Sequence, residues 1–594
     1  MATTDEPNRR KRIHPLPLRS ALRLNRPGDI WHKPALSVVA ASVVPLLFLF
    51  PLDRLDLVLY TSGGSLCALY AHGLPYAARA RATAWVCLGM IASVAVALTA
   101  AAVVSSTAVL VAVCAVLAAA HKLVCDATRI GPPGNLIFTF IASSCAFTPQ
   151  RLGDVPFHLL LTAGGAACAW IVVMAPGLVR PQGPQRIAVA RALEAAARLL
   201  TGDRQDLPRL RHTTASAVTA AWHTLFLVPA RTPAGAGARA ALERILVRAE
   251  SVLARTPADP AAEAGRLLAL AHDLRRNRPL PARAGRTEPA GVAADREAGR
   301  RRLRSPDPGK PRGMRALARA LGPGSPLLPV GARLLVGSAA AGWASMALGV
   351  GRPYWAVVTA ASVFQANVTL SWSRGLQRAV GTLLGLAAFV ALLPVTRSGV
   401  VALVAVTLLC QFGAEALITR NYWLGSVCVT QMALLLVEFA GYQPARELVT
   451  DRLIDTVIGV AAGLLAAVLV TNRRAANRID AALDRAADAQ REAERLLRTG
   501  TGPGREEAAA GRGEAAGGGA DGGGVRAGDD ETAWARDRLA VALIELREAY
   551  DVASGEWWQR ALPAERVALA ERSGHQVLAA LVRRLTADRA APAA

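Results

Sequence analysis

The chain has 594 residues, 53% of them hydrophobic and only 19% charged, yet its formal net charge is +24. The apolar residues gather in blocks of about 17 to 24 with few charges, and roughly 20 helical residues cross a hydrocarbon core, so a soluble globular class is excluded. Lysine occurs only at Lys11, Lys33, Lys122 and Lys310, so the positive charge is almost all arginine, placed beside the apolar blocks and in Pro/Gly-rich stretches. That placement suits a bilayer with anionic headgroups and argues against nucleic acid, which calls for a basic folded face with aromatic residues interleaved.

The basic stretch 1–33 lacks a short apolar core followed by a small-residue cleavage site, so no cleaved signal peptide is expected. Spans are then predicted at about 34–52, 57–73, 83–104, 107–125, 134–147 and 156–177, making residues 34–177 a first transmembrane unit of six spans. Apolar residues spaced by three and four predict amphipathic helices over 186–200, 211–227 and 238–254, within a helical polar domain at 178–277. Residues 278–325, rich in Pro, Gly and Arg, read as a disordered basic linker. Six further spans follow near 327–350, 354–370, 376–394, 398–418, 421–440 and 452–471, a second unit at 326–472. The remainder, 473–594, is polar, with helices predicted at 478–498, 537–558 and 563–585 and a flexible Gly-rich loop at 500–530.

The fold class is therefore all-α: a polytopic membrane protein of two parallel six-helix repeats, each followed by a helical polar region. An echo between YTSGGSLCALYAHGLPYAARARATAWVCLGM and the stretch beginning at Gly351 supports the duplication. Thr61 precedes Arg81 by 20 residues as Thr359 precedes Arg378 by 19, with Gly89 and Gly385 following. Arginine and lysine at the flanks decide orientation: Arg19, Arg23 and Lys33 before the first span, Arg180, Arg186 and Arg191 after the sixth, Arg312, Arg315 and Arg319 before the seventh, and Arg473, Arg474 and Arg478 after the twelfth. They place both termini in the cytoplasm of a cell membrane, with Trp31, Trp355, Trp423 and Tyr422 at headgroup depth.

Soluble chemistry finds no foothold. The eight cysteines contain no C-x-x-C pair and read as buried apolar side chains. GPPGN (131–135) and DPGKP (307–311) lack the spacing of a phosphate-binding loop, and neither H-E-x-x-H nor G-x-S-x-G occurs. No metal, cofactor or enzyme activity is expected.

What remains is polarity inside lipid, where a charged side chain costs about 2.5–3.5 kcal/mol and therefore faces a bundle interior or a water-filled path. Glu415, with Gln411 one turn before it, reads equally as a functional carboxylate and as a structural hydrogen-bond partner. Asp455 follows Arg452 by three, the spacing of a structural ion pair. Lys122 and Asp126 read as a helix-end pair, and Gln365, Asn367 and Gln431 each need a partner. G-x-x-x-G at Gly381–Gly385 and Gly459–Gly463 allows close helix approach, within one chain or in a homo-oligomer.

The stretch GRPYWAVVTAASVFQANVTLSWSRGLQRAVGTLLG (351–385) resembles the signature of the fusaric-acid-resistance-like transporters, related to the aromatic acid exporters. It has an aromatic pair, Tyr354 and Trp355, opening a span, Gln365 near its far end, the spaced Arg374 and Arg378, and G-T-x-x-G. DRLIDTVIGVAAG (451–463) is similar to the family's closing-span pattern. The first half lacks the glutamine and the aromatic pair. The resemblance implies export of small organic anions, often aromatic acids, driven by the proton gradient. On it, the turn SWSRGLQR puts Arg374 and Arg378 at the cytoplasmic mouth as anion recruiters, with Gln365, Asn367, Tyr354, Trp355 and Gln431 along the path, and Glu415 and Asp455 as proton-coupling carboxylates. An anion channel and a membrane scaffold acting through its cytoplasmic helices are the rival readings.

Overall fold

The computed structural model describes residues 18–25, 27–203, 205–227, 232–254, 256–279, 317–318, 321–322, 325, 327–469, 474–499, 522–555 and 562–590, and among these it is helical with no strand. Six apolar helices come first: α1 (His32–Leu49), α2 (Val58–Ser65, flanked by 3₁₀ turns at Leu55–Leu57 and Leu66–Leu69), α3 (Tyr76–Val103), α4 (Thr107–Thr128), α5 (Leu136–Ala146) and α6 (Val155–Met174). Four polar helices follow, α7 (Gly183–Thr201), α8 (Leu207–Phe226), α9 (Pro233–Ala254) and α10 (Pro260–Arg275). Then come α11 (Leu328–Ala347), α12 (Tyr354–Val363), α13 (Val368–Thr396), α14 (Val400–Ile418), α15 (Tyr422–Glu438) and α16 (Ala445–Leu469), and the polar helices α17 (Arg474–Thr499), α18 (Gly522–Ser554) and α19 (Ala564–Ala590).

The protein is a multi-pass membrane protein. Among the described residues, seven helices are long and apolar enough to cross a bilayer: α1, α3, α4, α6 with its flanking turns, α13, α14 and α16. Their outward faces carry large apolar side chains such as Leu47, Trp85, Leu160, Val401 and Leu409, the surface that lipid covers.

Eleven of the twelve expected spans appear as apolar helices in the expected order, but four of these are short, Leu55–Leu69, Leu136–Ala146, Tyr354–Val363 and Tyr422–Glu438, and the remaining one, α11, is long without being among the seven apolar enough to cross. The 10 residues of α12 rise only about 15 Å, half a hydrocarbon core. Phe364 then turns extended (φ −64°, ψ 118°), and the chain re-enters a helix only after Asn367. In each half a short second helix is followed by a long third one, 28 residues in α3 and 29 in α13.

The polar turn expected at SWSRGLQR does not exist. Residues 371–378 lie inside α13, which the Asn367 side chain opens by accepting a hydrogen bond from the Leu370 amide at 2.8 Å. The stretch holds no proline, and its one glycine, Gly375, packs against Val460 and Leu464, so nothing interrupts the helix there. The Gly-rich loop expected at 500–530 lies partly outside the described residues, and from Gly522 onward the chain is helical. The linker expected at 278–325 falls almost wholly outside them.

The two polar regions pack on each other at one end of the bundle. Arg536 of α18 lies 3.0 Å from Glu250 of α9, both buried, and Glu250 also accepts from the Trp222 indole at 3.0 Å. Three fastenings tie these regions and the N-terminal stretch to the apolar helices. Asp29, just before α1, pairs with Arg191 at 2.8 Å and with Arg275. Residues 21–25 lie across α13 and α15: Gln377 and Asn421 donate to the Ala21 carbonyl and the Trp423 indole to Leu22. At the end of α18, the Gly555 carbonyl accepts from Thr369 Oγ1 at 2.9 Å, and Asn367 donates to the Asp551 carbonyl at 3.4 Å.

Candidate functional site

The polar side chains inside the second half converge where α12, α13, α15 and α16 meet. Glycine sets the spacing: a Cβ on Gly459 would lie 2.7 Å from the Ala356 carbonyl oxygen and from Thr359 Cβ, and one on Gly381 would lie 2.5 Å from Ser426 Cβ. Only glycine lets α16 press on α12 and α13 on α15 at these heights, which brings their long polar side chains into one interior.

Arg378 lies ten residues into α13, about 15 Å from its start, so it sits well inside the span rather than at its mouth. It is 4% exposed and donates to Ser426 Oγ at 3.3 Å. Arg374, one turn nearer the polar domains, holds its guanidinium 3.8 Å from the centre of the Tyr422 ring. From the opposite wall Arg452 of α16, 1% exposed, stands 5.1 Å over the ring of Trp355, itself 0% exposed. Asp455, one turn on, is fully buried and accepts from Ser345 Oγ of α11.

Two expectations are corrected here. Arg452 and Asp455 form no ion pair with each other; Asp455 is drawn instead to Ser345, and Arg452 to the Trp355 face. Trp355 and Tyr422 are not headgroup anchors, because both are buried between helices, with Tyr422 under Arg374. Trp423 is the outward ring of that pair, fastened to Leu22.

The remaining expected site residues are spread more widely. Tyr354 is buried beside Trp355 and meets Phe147 of the first half, ring centroids 5.4 Å apart. Gln431 donates to the Gly385 carbonyl at 3.2 Å, tying α15 to α13. Gln365 and Asn367 serve the break between α12 and α13: Ser371 Oγ accepts from the Gln365 amide at 3.0 Å, the Gln365 side chain turns to the Phe364 carbonyl, and Asn367 caps α13. Glu415 is not gathered to the arginines. It lies on α14, whose main neighbours are α15 and α1, and among the described residues it enters no hydrogen bond or ion pair. Gln411, one turn away, donates to Ser42 of α1 at 3.1 Å and lines a cavity of about 30 Å³ with Ser62, Thr407 and Phe140. That volume suits one water. Lys122 and Asp126 pair at 3.0 Å along one helix, as their spacing predicts.

Sequence reasoning passed over several members of this interior. Ser345, Thr359 and Ser426 are small hydroxyl residues that resemble ordinary helix packing until their neighbours are known. In the first half His121 bridges Ser93 at 2.7 Å and Thr139 at 3.4 Å, joining α3, α4 and α5. A histidine inside an apolar block was the available signal. All eight cysteines are free thiols, six of them buried.

Comparison with known proteins places the site. Over 216 residues, 36% of this chain and 29% of the relative, the sequence is 28% identical to YvaC, an uncharacterized membrane protein of Bacillus subtilis (strain 168). This chain thus matches less than a third of that relative's length. No solved structure matches. The model of the fusaric acid resistance protein-like family matches residues 339–466, a segment that holds every side chain of the α12–α13–α15–α16 interior. That match lies wholly within the second membrane half, which is thus similar in sequence to fusaric acid resistance protein-like proteins.

Proposed function

We propose that this protein is a secondary transporter that exports small organic anions, aromatic acids foremost, across the cell membrane at the expense of the proton gradient. One observation carries the reading: Arg378, a permanently charged side chain, is buried well inside the apolar helix α13 of the family-matched segment, with Arg374 one turn nearer the polar helices. An arginine in that position is costly unless it faces a path or a ligand, and a guanidinium fork matches a carboxylate. The broken α12 supports the same reading, because transporters place their binding sites at discontinuous helices. The polar helices and both termini are taken to face the cytoplasm, with the flanking arginines on anionic headgroups. Glu415 and Asp455 are the candidate proton carriers, being the one carboxylate of α14 and the buried one of α16.

The test is the accumulation of labelled benzoate in cells with and without the protein. Cells with it should retain several-fold less, and Arg378→Ala or collapse of the proton gradient should erase the difference. Equal retention in all four conditions would remove the transport reading.

A further inference from the structure

The interior described above is not balanced in charge or in hydrogen bonds. Arg378 and Arg452 are both buried, and the carboxylate that stands with them is Asp455 alone. Donors outnumber acceptors as well: Arg378 Nε, Arg452 Nε and Nη1 and Trp355 Nε1 are all buried without an acceptor, against two free acceptors, Asp455 Oδ2 and Gln431 Oε1. Buried polar groups are nearly always paired, and a cluster of unmet donors marks the place of an absent ion.

A neighbouring pair shows the contrast. Arg352 stacks on the same Trp355 ring at 5.6 Å, yet it has Asp451 at 3.3 Å and Gln443 at 2.9 Å. Arg452, 5.1 Å over the same ring, has neither. Burying one more cation than anion is strongly unfavourable unless a further negative charge joins them.

We infer that Arg378 and Arg452 together form a binding site for one monocarboxylate, held between α13 and α16 with its aromatic ring against Trp355, and that Asp455 competes with it for Arg452. Among the fully buried charges of this interior, two guanidiniums and one carboxylate, a single added negative charge restores balance; Arg374, only half-buried one turn away, stays outside that count. Trp355 adds a flat apolar face and an indole donor, which suit a benzoate-like acid. This rests on the organic-anion reading but extends it to Arg452 and Asp455, whose spacing alone suggests an ion pair.

The experiment is calorimetric titration of the full-length protein in lipid nanodiscs with benzoate, with folding followed by thermal unfolding. The wild type should bind, and Arg378→Gln should weaken binding at least tenfold. Arg452→Gln strands Asp455 and endangers the fold, so the deciding variant is Arg452→Gln/Asp455→Asn, which loses both charges. It should fold and bind benzoate at least tenfold more weakly. Asp455→Asn alone should bind several-fold more tightly and turn toward phthalate, a dianion. Wild-type affinity in the double variant would overturn the inference, as would a wild type that takes up no benzoate. The two readings fail separately. If the double variant still binds and exports while Arg378→Gln does neither, the transporter stands and this site falls. If binding needs Arg452 but cellular retention ignores the protein, the site stands and the transporter falls.

Discussion

A buried arginine depends on what stands opposite it, and this chain holds two instructive cases. In the polar domain Arg536 meets Glu250 at 3.0 Å, a charge contact without an aligned Nε–H bond, and lies 5.5 Å over the Trp222 ring. Asp537 also reaches Arg536 at 3.3 Å, so losing Glu250 still leaves the arginine one carboxylate, and the cost falls below that of a buried pair broken outright, about 3–5 kcal/mol. Glu250→Gln should therefore lower the thermal unfolding temperature by several degrees, while the Glu250→Gln change at the membrane-remote domain leaves benzoate binding intact. Arg378 and Arg452 lack such an opposite, which is why they read as a site and Arg536 as structure. Much of this was legible in the sequence, since arginines are conspicuous in apolar blocks. Their convergence was not: Arg378 and Arg452 are 74 positions apart, and the spacing of Arg452 to Asp455 pointed to a local pair that the Trp355 ring and Ser345 displace.

At the scale of elements, long apolar runs predicted where helices lie, because period and length are local properties. Where they stop was harder to read. No proline or glycine marks the end of α12; the signal was Asn367, a capping residue in the middle of an apparently continuous block. The same blindness put a turn at 371–378, since clustered polar residues look alike whether they line a helix interior or a loop. Close helix packing, in contrast, has a sharp test. A Cβ on Gly64 of α2 would lie 2.1 Å from the Thr162 carbonyl oxygen, and one on Gly165 of α6 would lie 2.2 Å from that of Thr61. Gly64→Ala should part these helices and destabilise the fold by about 3 kcal/mol, the upper range for overpacking. Gly164→Ala, with nothing within 4 Å, should be neutral or gain up to about 1 kcal/mol from helix propensity. Unfolding of the two variants side by side checks the pair.

Across the whole molecule, the polar helices are joined to each other and to the bundle by titratable contacts. His212 of α8 and His575 of α19 face each other with ring centroids 6.2 Å apart. Burial holds His212 below the ordinary value of 6.5, and the charges of His575 and Arg547 push the same way. Burial also lowers His575, against the upward pull of the Glu571 carbonyl. The unfolded chain thus takes up these protons more readily than the folded one, so the contribution of this contact is complete above about pH 6.5 and is lost as pH falls below it. Hydrogen exchange in α8 and α19 should rise between pH 7 and 5.5, and His212→Gln/His575→Gln should flatten the change. Asp29 behaves oppositely in cause: burial alone would raise it, but hydrogen bonds from Arg275 and Arg191 hold it below the ordinary aspartate value. Its clasp therefore outlasts the histidine contact on acidification. The third fastening is tested by Asn367→Cys/Gly555→Cys, whose oxidation should link α18 to the head of α13 and stop benzoate export until reduced; unchanged export would show that this junction stays still during turnover.

That junction gives α18 a mechanical character. A helix of 33 residues is a rod about 50 Å long, so swinging it by roughly 5° about its remote end carries its tip some 4 Å, further than the 2.9 Å reach of the contact between Gly555 and Thr369. The rod cannot lean without either dragging the head of α13 along or letting it go. A push delivered far out in the aqueous domains is thereby geared onto the helix that carries both Arg374 and Arg378.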